Sequence, residues 1–242
     1  MAQPAARLER AFAGYFRTQG RRFLLSFGQL RSRFAEALTP DDWWQLFDQA
    51  TKSTREGATG ALGSAIEISL VAGARNAMGS VGVDVAFDLR NPRAEAYLQE
   101  HGYGLITRID EVTRGRIGGI IEQGTREGWA YNRMAKEISA MYSEMAVGRP
   151  QAHIDSRAHL IAVTETGNAY ETGNAFVIRD LQDAGLPMEK FWLTVGDDRV
   201  STGCYGNQSE GWIPFEQAHS SGHMHPLRFP GCRCTELYQR RQ

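Results

Sequence analysis

Along the first two-thirds of the chain, apolar residues recur at helical spacing. Phe16, Phe23, Leu30 and Ala37 lie seven residues apart, with Phe27 and Phe34 at the offset positions. That spacing predicts an apolar seam of coiled-coil type, and a single amphipathic helix packed on its own domain satisfies it equally. Thr39-Pro40-Asp41-Asp42 combines a hydroxyl cap, a first-turn proline and carboxylates at the positive helix end. A helix carrying Trp43, Trp44, Leu46 and Phe47 opens there. Within 58–78, Leu62, Ile66, Leu70 and Val71 are spaced as one helical face. Gly57, Gly60, Gly63 and Gly73 each lower helix stability by up to ~1 kcal/mol relative to alanine, so this stretch predicts a helix approached closely by another backbone. An extended connector over 83–89 is closed by Asn91-Pro92, a further helix start. Helices are expected over 92–101, 105–123 and 131–142, with a break at 124–128. A long helix from about residue 151 to 184 stops at Gly185, with Pro187 just beyond.

After Pro187 the pattern changes. Phe191-Trp192-Leu193-Thr194-Val195 reads as a strand, and Trp212-Ile213-Pro214-Phe215 and Thr235-Glu236-Leu237-Tyr238 as shorter ones. The expected fold is mainly α with a small α+β C-terminal module: a helical body over 1–149, then a short-stranded, Cys/His-containing cap over 150–242. The repeat Glu165-Thr166-Gly167-Asn168-Ala169-Tyr170 and Glu171-Thr172-Gly173-Asn174-Ala175-Phe176 has a period of six, which does not keep one helix face. It reads as a local duplication.

Charge removes some function classes. Lys and Arg total 27 against 28 Asp and Glu, so the whole chain has no electrostatic case for nucleic acid. Locally, Arg7, Arg10, Arg17, Arg21, Arg22, Arg31 and Arg33 face only Glu9. Of these, Arg17, Arg21, Arg22, Arg31 and Arg33 are candidate DNA contacts, and a solvated helix face explains them as well. No uninterrupted apolar run reaches the ~18–20 residues of a membrane span; the stretch at 66–72 is short and broken by Glu67. The N-terminus lacks a secretory apolar run, and the expected setting is the cytoplasm, or a particle assembled there.

Three cysteines, Cys204, Cys232 and Cys234, fall late in the chain and make no disulfide framework. Together with His223 or His225 they offer the three sulfurs and one imidazole of a structural zinc site, His225 being nearer in sequence to the cysteine pair. Small core cysteines and surface histidines, with no metal, account for the same residues. A nucleophile, base and orienter can also be written from Cys204, a histidine and Asp197. No glycine-rich phosphate loop, H-E-x-x-H or G-x-S-x-G accompanies them, and the expectation is a protein without enzymatic activity. Arg157, Thr164, Glu165 and Asn168 read as a hydrogen-bond network tying a helix to the cysteine-bearing tail.

These pieces in their order resemble the phage Mu protein F-like family of minor head, or head morphogenesis, proteins. The resemblance rests on Arg157-Ala158 leading into Ile161-Ala162-Val163-Thr164-Glu165 and Asn168. It continues through Trp192, Thr194 and Asp197-Asp198-Arg199-Val200 to Cys204, Gly211 and Phe215, and closes on Pro230-Gly231-Cys232-Arg233-Cys234. It spans about 149–238. Two positions depart: Ser201 stands where many members have cysteine, and Phe229 where many have histidine. The resemblance implies a few-copy component of the phage head, made in the host cytoplasm and acting with portal, scaffold or major capsid protein. It also implies association with packaged double-stranded DNA and no membrane. Some relatives carry toxin-like modules, for which the residues after Cys234 leave no room.

Overall fold

The computed structural model describes residues 2–33, 40–83, 87, 89, 92–147, 154 and 156–241. Five long helices come first: α1 (Ala2–Arg33), α2 (Pro40–Val81), α3 (Pro92–Arg126), α4 (Tyr131–Val147) and α5 (Arg157–Asp183). Strand β1 (Met188–Leu193), the short helix α6 (Thr202–Ser209), β2 (Ile213–Pro214) and β3 (Thr235–Arg240) follow. The fold is mainly α with a small antiparallel sheet near the C-terminus, as the pattern predicts.

The helices are longer than their sequence breaks suggest. The segments opening at Pro40 and covering 58–78 form one helix of 42 residues, and 92–101 and 105–123 merge into one of 35. In α2, Ala58, Leu62, Ala65, Ile66, Leu70, Ala74 and Ala77 are buried along one stripe. Each large apolar side chain there contributes ~1.5–3 kcal/mol, enough to offset the glycines. No residue crowds Gly57, Gly60 or Gly63, whereas at Gly73 a Cβ would lie 1.8 Å from the Tyr170 carbonyl oxygen of α5. The expected close backbone approach thus occurs at one glycine of the four. Gly173 on α5 reciprocates, its would-be Cβ 2.0 Å from the Leu70 oxygen. Within Asp42–Val81 an 18-residue stretch reaches a mean hydropathy of 1.2, apolar and long enough to cross a membrane by composition. The buried stripe accounts for that composition as a packing face.

Two compact units interleave along the chain. One comprises Met1–Arg7, Gly63–Gln99 and His159–Gln242; the other comprises Leu8–Leu62 and Glu100–Ala158. The sequence expectation places a single boundary at 149, itself outside the described residues. Long helices explain the difference, because α2 and α3 each contribute to both units. Of the predicted seam, Phe16 and Phe23 are buried; Phe34 and Ala37 lie outside the described residues, as do the side chains of Phe27 and Leu30.

In the unit holding the sheet, the strand order is β2-β1-β3, all antiparallel, with Lys190 opposite Tyr238 and Trp192 opposite Glu236. Met188, Lys190 and Trp192 of β1 face inward, as do Glu236 and Tyr238 of β3. Ala74, Ala77, Val177, Ile178, Met188, Phe215 and Tyr238 form the core beneath them. Leu193, Trp212 and Leu237 remain exposed.

Candidate metal centre

Beyond β1 the chain turns at Gly196 (φ +73°) and enters α6, whose N-cap is Ser201. The Ser201 hydroxyl accepts the Cys204 N–H at 3.3 Å and a bond from Arg228 at 3.1 Å. Where the resembled family has a cysteine, this chain has a helix cap that orients Cys204. The Cys232-Arg233-Cys234 segment precedes β3 and follows Gly231, whose φ is +79°. Cys204, Cys232 and Cys234 are buried and their sulfurs lie within 4.8 Å of one another, Cys204 to Cys232 at 3.9 Å. Trp192 packs with them, walled by Val200, Leu227 and Phe229. The three thiols could hold a metal ion.

The cluster is anchored from several sides. Thr164 Oγ1 of α5 accepts the Gly231 N–H at 3.0 Å, fixing the turn ahead of Cys232. Arg233 points away from the sulfurs and donates twice to Asp197, both bonds 2.7 Å. That pair holds the Asp197 carboxyl below its ordinary range. The Asp197 carboxylate also accepts the Arg199 backbone N–H at 3.1 Å, while the Arg199 side chain is exposed. Cys234 donates to Cys232, the largest influence bringing the Cys232 thiol down to about 5 against its burial; Cys234 moves upward in return.

Chain comparisons add no relative. No protein-family model, curated protein or solved structure matches.

The histidines do not join the sulfurs. Among the described residues the metal-competent group is the three cysteines alone. His225, the expected fourth ligand, has its Nδ1 at 2.7 Å from the Pro226 carbonyl, and His223 Nδ1 meets Ser221. His219 is buried between carboxylates, Nε2 at 2.8 Å from Glu236 and Nδ1 at 3.3 Å from Glu210. Its ring meets Trp192 edge-on, centroids 5.0 Å apart. The nucleophile, base and orienter written from Cys204, a histidine and Asp197 are not brought together: Asp197 binds Arg233, and the sulfur of Cys204 meets Cys232.

Other expected residues divide. Thr164, Glu165 and Trp192 are buried and Asn168 half-buried, all in the sheet-bearing unit. Arg157 belongs to the other unit, where its guanidinium lies 5.8 Å from the Phe16 ring centre and burial lowers its pKa. Arg17 and Arg21 line a cleft of about 280 Å³ together with Ser139 and Ser143. Arg22 is exposed, and the side chains of Arg31 and Arg33 lie outside the described residues.

A buried polar chain beside the cysteines was not foreseen. Tyr238 donates to Glu236 at 2.9 Å, and Thr235 to Glu171 at 2.6 Å. Lys190, lowered by burial, donates to the Met224 carbonyl. Glu171 is raised to about 8, chiefly by burial. The alternation of 188–192 and 235–238 carries a signal for this, since it assigns Lys190 and Glu236 to the apolar side.

Proposed function

We propose that this chain is a bacteriophage minor head protein acting in head morphogenesis, a structural component of the virion made in the host cytoplasm. The observation that carries this reading is convergence. Residues 67 apart, Thr164 and Gly231, hydrogen-bond, Asp197 grips Arg233, and Trp192 packs on all three cysteines. Of the motif pieces that resemble the Mu protein F-like family, Thr164, Trp192, Asp197 and the 231–234 stretch are thus parts of one fastening, while Arg157 belongs to the other unit. Its partners are the portal and the scaffold or major capsid protein; exposed Leu193, Trp212 and Leu237 supply apolar surface of the kind partners cover. Packaged double-stranded DNA is a further contact, through the cleft arginines Arg17 and Arg21. In this role the cysteine cluster is structural, fastening the C-terminal strand with or without a bound metal ion.

The test is co-expression with portal and scaffold proteins from a candidate parent phage, followed by sedimentation. The chain is expected in the portal or procapsid fraction, with no hydrolytic turnover. Turnover abolished by Cys204→Ser, with no particle association, would overturn the reading in favour of a thiol- or zinc-dependent enzyme.

A further inference from the structure

The donor set around the cysteines is unbalanced for zinc. A structural zinc site closes with four protein ligands, and here three sulfurs meet without a nitrogen or oxygen ligand among the described residues. The three candidate histidines are turned to other partners: His219 to two glutamates, His223 to Ser221, His225 to the Pro226 carbonyl. The side chains packed against the sulfur cluster, Val200, Leu227 and Phe229, present hydrocarbon. We infer that Cys204, Cys232 and Cys234 form a three-coordinate site for a soft, thiophilic ion of the copper(I) or arsenic(III) kind.

Ligand softness favours such ions, because thiolates select soft metals and the protein discriminates by geometry and ligand type. Spacing is compatible with copper(I): sulfurs about 2.3 Å from a central ion stand about 4.0 Å apart in a plane, against 3.9 Å between Cys204 and Cys232, and pyramidal arsenic(III) would draw the three, now within 4.8 Å, closer together. A tetrahedral ion accepts nearly the same edge, so ligand number decides rather than distance. Charge also fits. Arsenous acid, As(OH)3, condenses with three thiols to a neutral tris-thiolate and three waters, with no change of oxidation state. Copper(I) instead displaces to solvent whatever protons the thiols still hold and leaves an anionic complex, with the Arg233 guanidinium between the two cysteines in sequence and itself paired with Asp197. Trp192 contributes the buried indole N–H, which has no conventional partner and acts on the Cys234 sulfur.

The inference does not depend on a head role, and its test is separate from particle association. The reduced full chain is titrated with copper(I) from a competing chelator, with arsenite, and with zinc, while thiol reactivity is followed. Copper(I) and arsenite are each expected to bind once per chain and shield all three thiols. Zinc should bind at least about tenfold more weakly. His225→Ala should leave binding unchanged, and Cys204→Ser should weaken it by at least about tenfold. Zinc binding as tight as copper(I), weakened by His225→Ala, would establish a four-ligand site and overturn the inference. So would wild-type thiols that stay reactive at equimolar copper(I) and arsenite, a measurement that needs no variant to fold.

Discussion

The two compact units bury charge in opposite ways. In the unit of Leu8–Leu62 and Glu100–Ala158, one carboxylate sits among helices: Asp110 receives Tyr15, approaches Gln19 at 3.4 Å and binds Arg55 at 2.7 Å. Arg55 stays 46% exposed at its side chain, so water still reaches one end of the network. In the sheet-bearing unit, Glu171, Lys190, His219 and Glu236 are all closed off. Helix α2 serves both, offering Thr51 and Arg55 to the first and a glycine-alanine face to the second. Access to solvent, more than the number of charges, separates a network that tolerates disruption from one that does not.

Substitution at the helix contact should have the largest effect. Gly173→Val places atoms where a single Cβ already lies 2.0 Å from backbone. No rotamer relieves that, and a loss of roughly 3 kcal/mol or more is expected. Gly60→Ala, in open space on the same α2 helix, should instead gain ~0.5–1 kcal/mol. Urea denaturation of both proteins checks the pair; equal effects would erase the distinction between packed and open glycines.

Next comes Asp110→Ala. It leaves the buried Tyr15 hydroxyl without its acceptor, for a loss of ~1–3 kcal/mol, softened because Gln19 keeps Thr51 at 2.8 Å and Arg55 can hydrate. Tyr15, raised by burial and then by its bond to Asp110, should titrate at lower pH in the variant. An unchanged tyrosinate absorbance curve would contradict the geometry.

A further effect appears as a slope in pH. Folded Glu171 keeps its proton to about pH 8, against an ordinary value of 4.5. The folded state therefore binds more protons across that window, and its stability falls as pH rises through it, by no more than ~1.4 kcal/mol per pKa unit. Glu171→Gln should remove this slope, matching wild type near pH 4.5 and exceeding it above pH 8. Parallel stability profiles would show that Glu171 is ionised in the fold.

Much of the fold was legible because its signals are local. Pro92 opens α3, Gly185 (φ +86°) ends α5, and the alternation at 188–193 gives β1. The joined helices were not legible, since the glycines of α2 mark weakness without saying what burial offsets it. Nor was α6, whose cap Ser201 sits in a turn-rich stretch and shows its purpose only once Cys204 is placed. The cysteine cluster was readable as a set of donors, because three sulfurs crowded into the last forty residues are a ligand set before any geometry is known. His225 failed as a partner because proximity in sequence says nothing about the direction of a side chain. The six-residue repeat behaved as its period requires: Gly167 faces Leu227, while Gly173 faces Leu70.

The strand order β2-β1-β3 also has a consequence in time. A ribosome makes β1 well before its principal partner, and at ~5–20 residues per second the interval lasts seconds. Throughout it, one edge of β1 waits with open amide and carbonyl groups and with Trp192 uncovered. The last strand made closes both the sheet and the sulfur cluster, because the residues just ahead of β3 are Cys232 and Cys234. Nascent chains stalled before Thr235 should therefore be the species that chaperones hold and proteases remove.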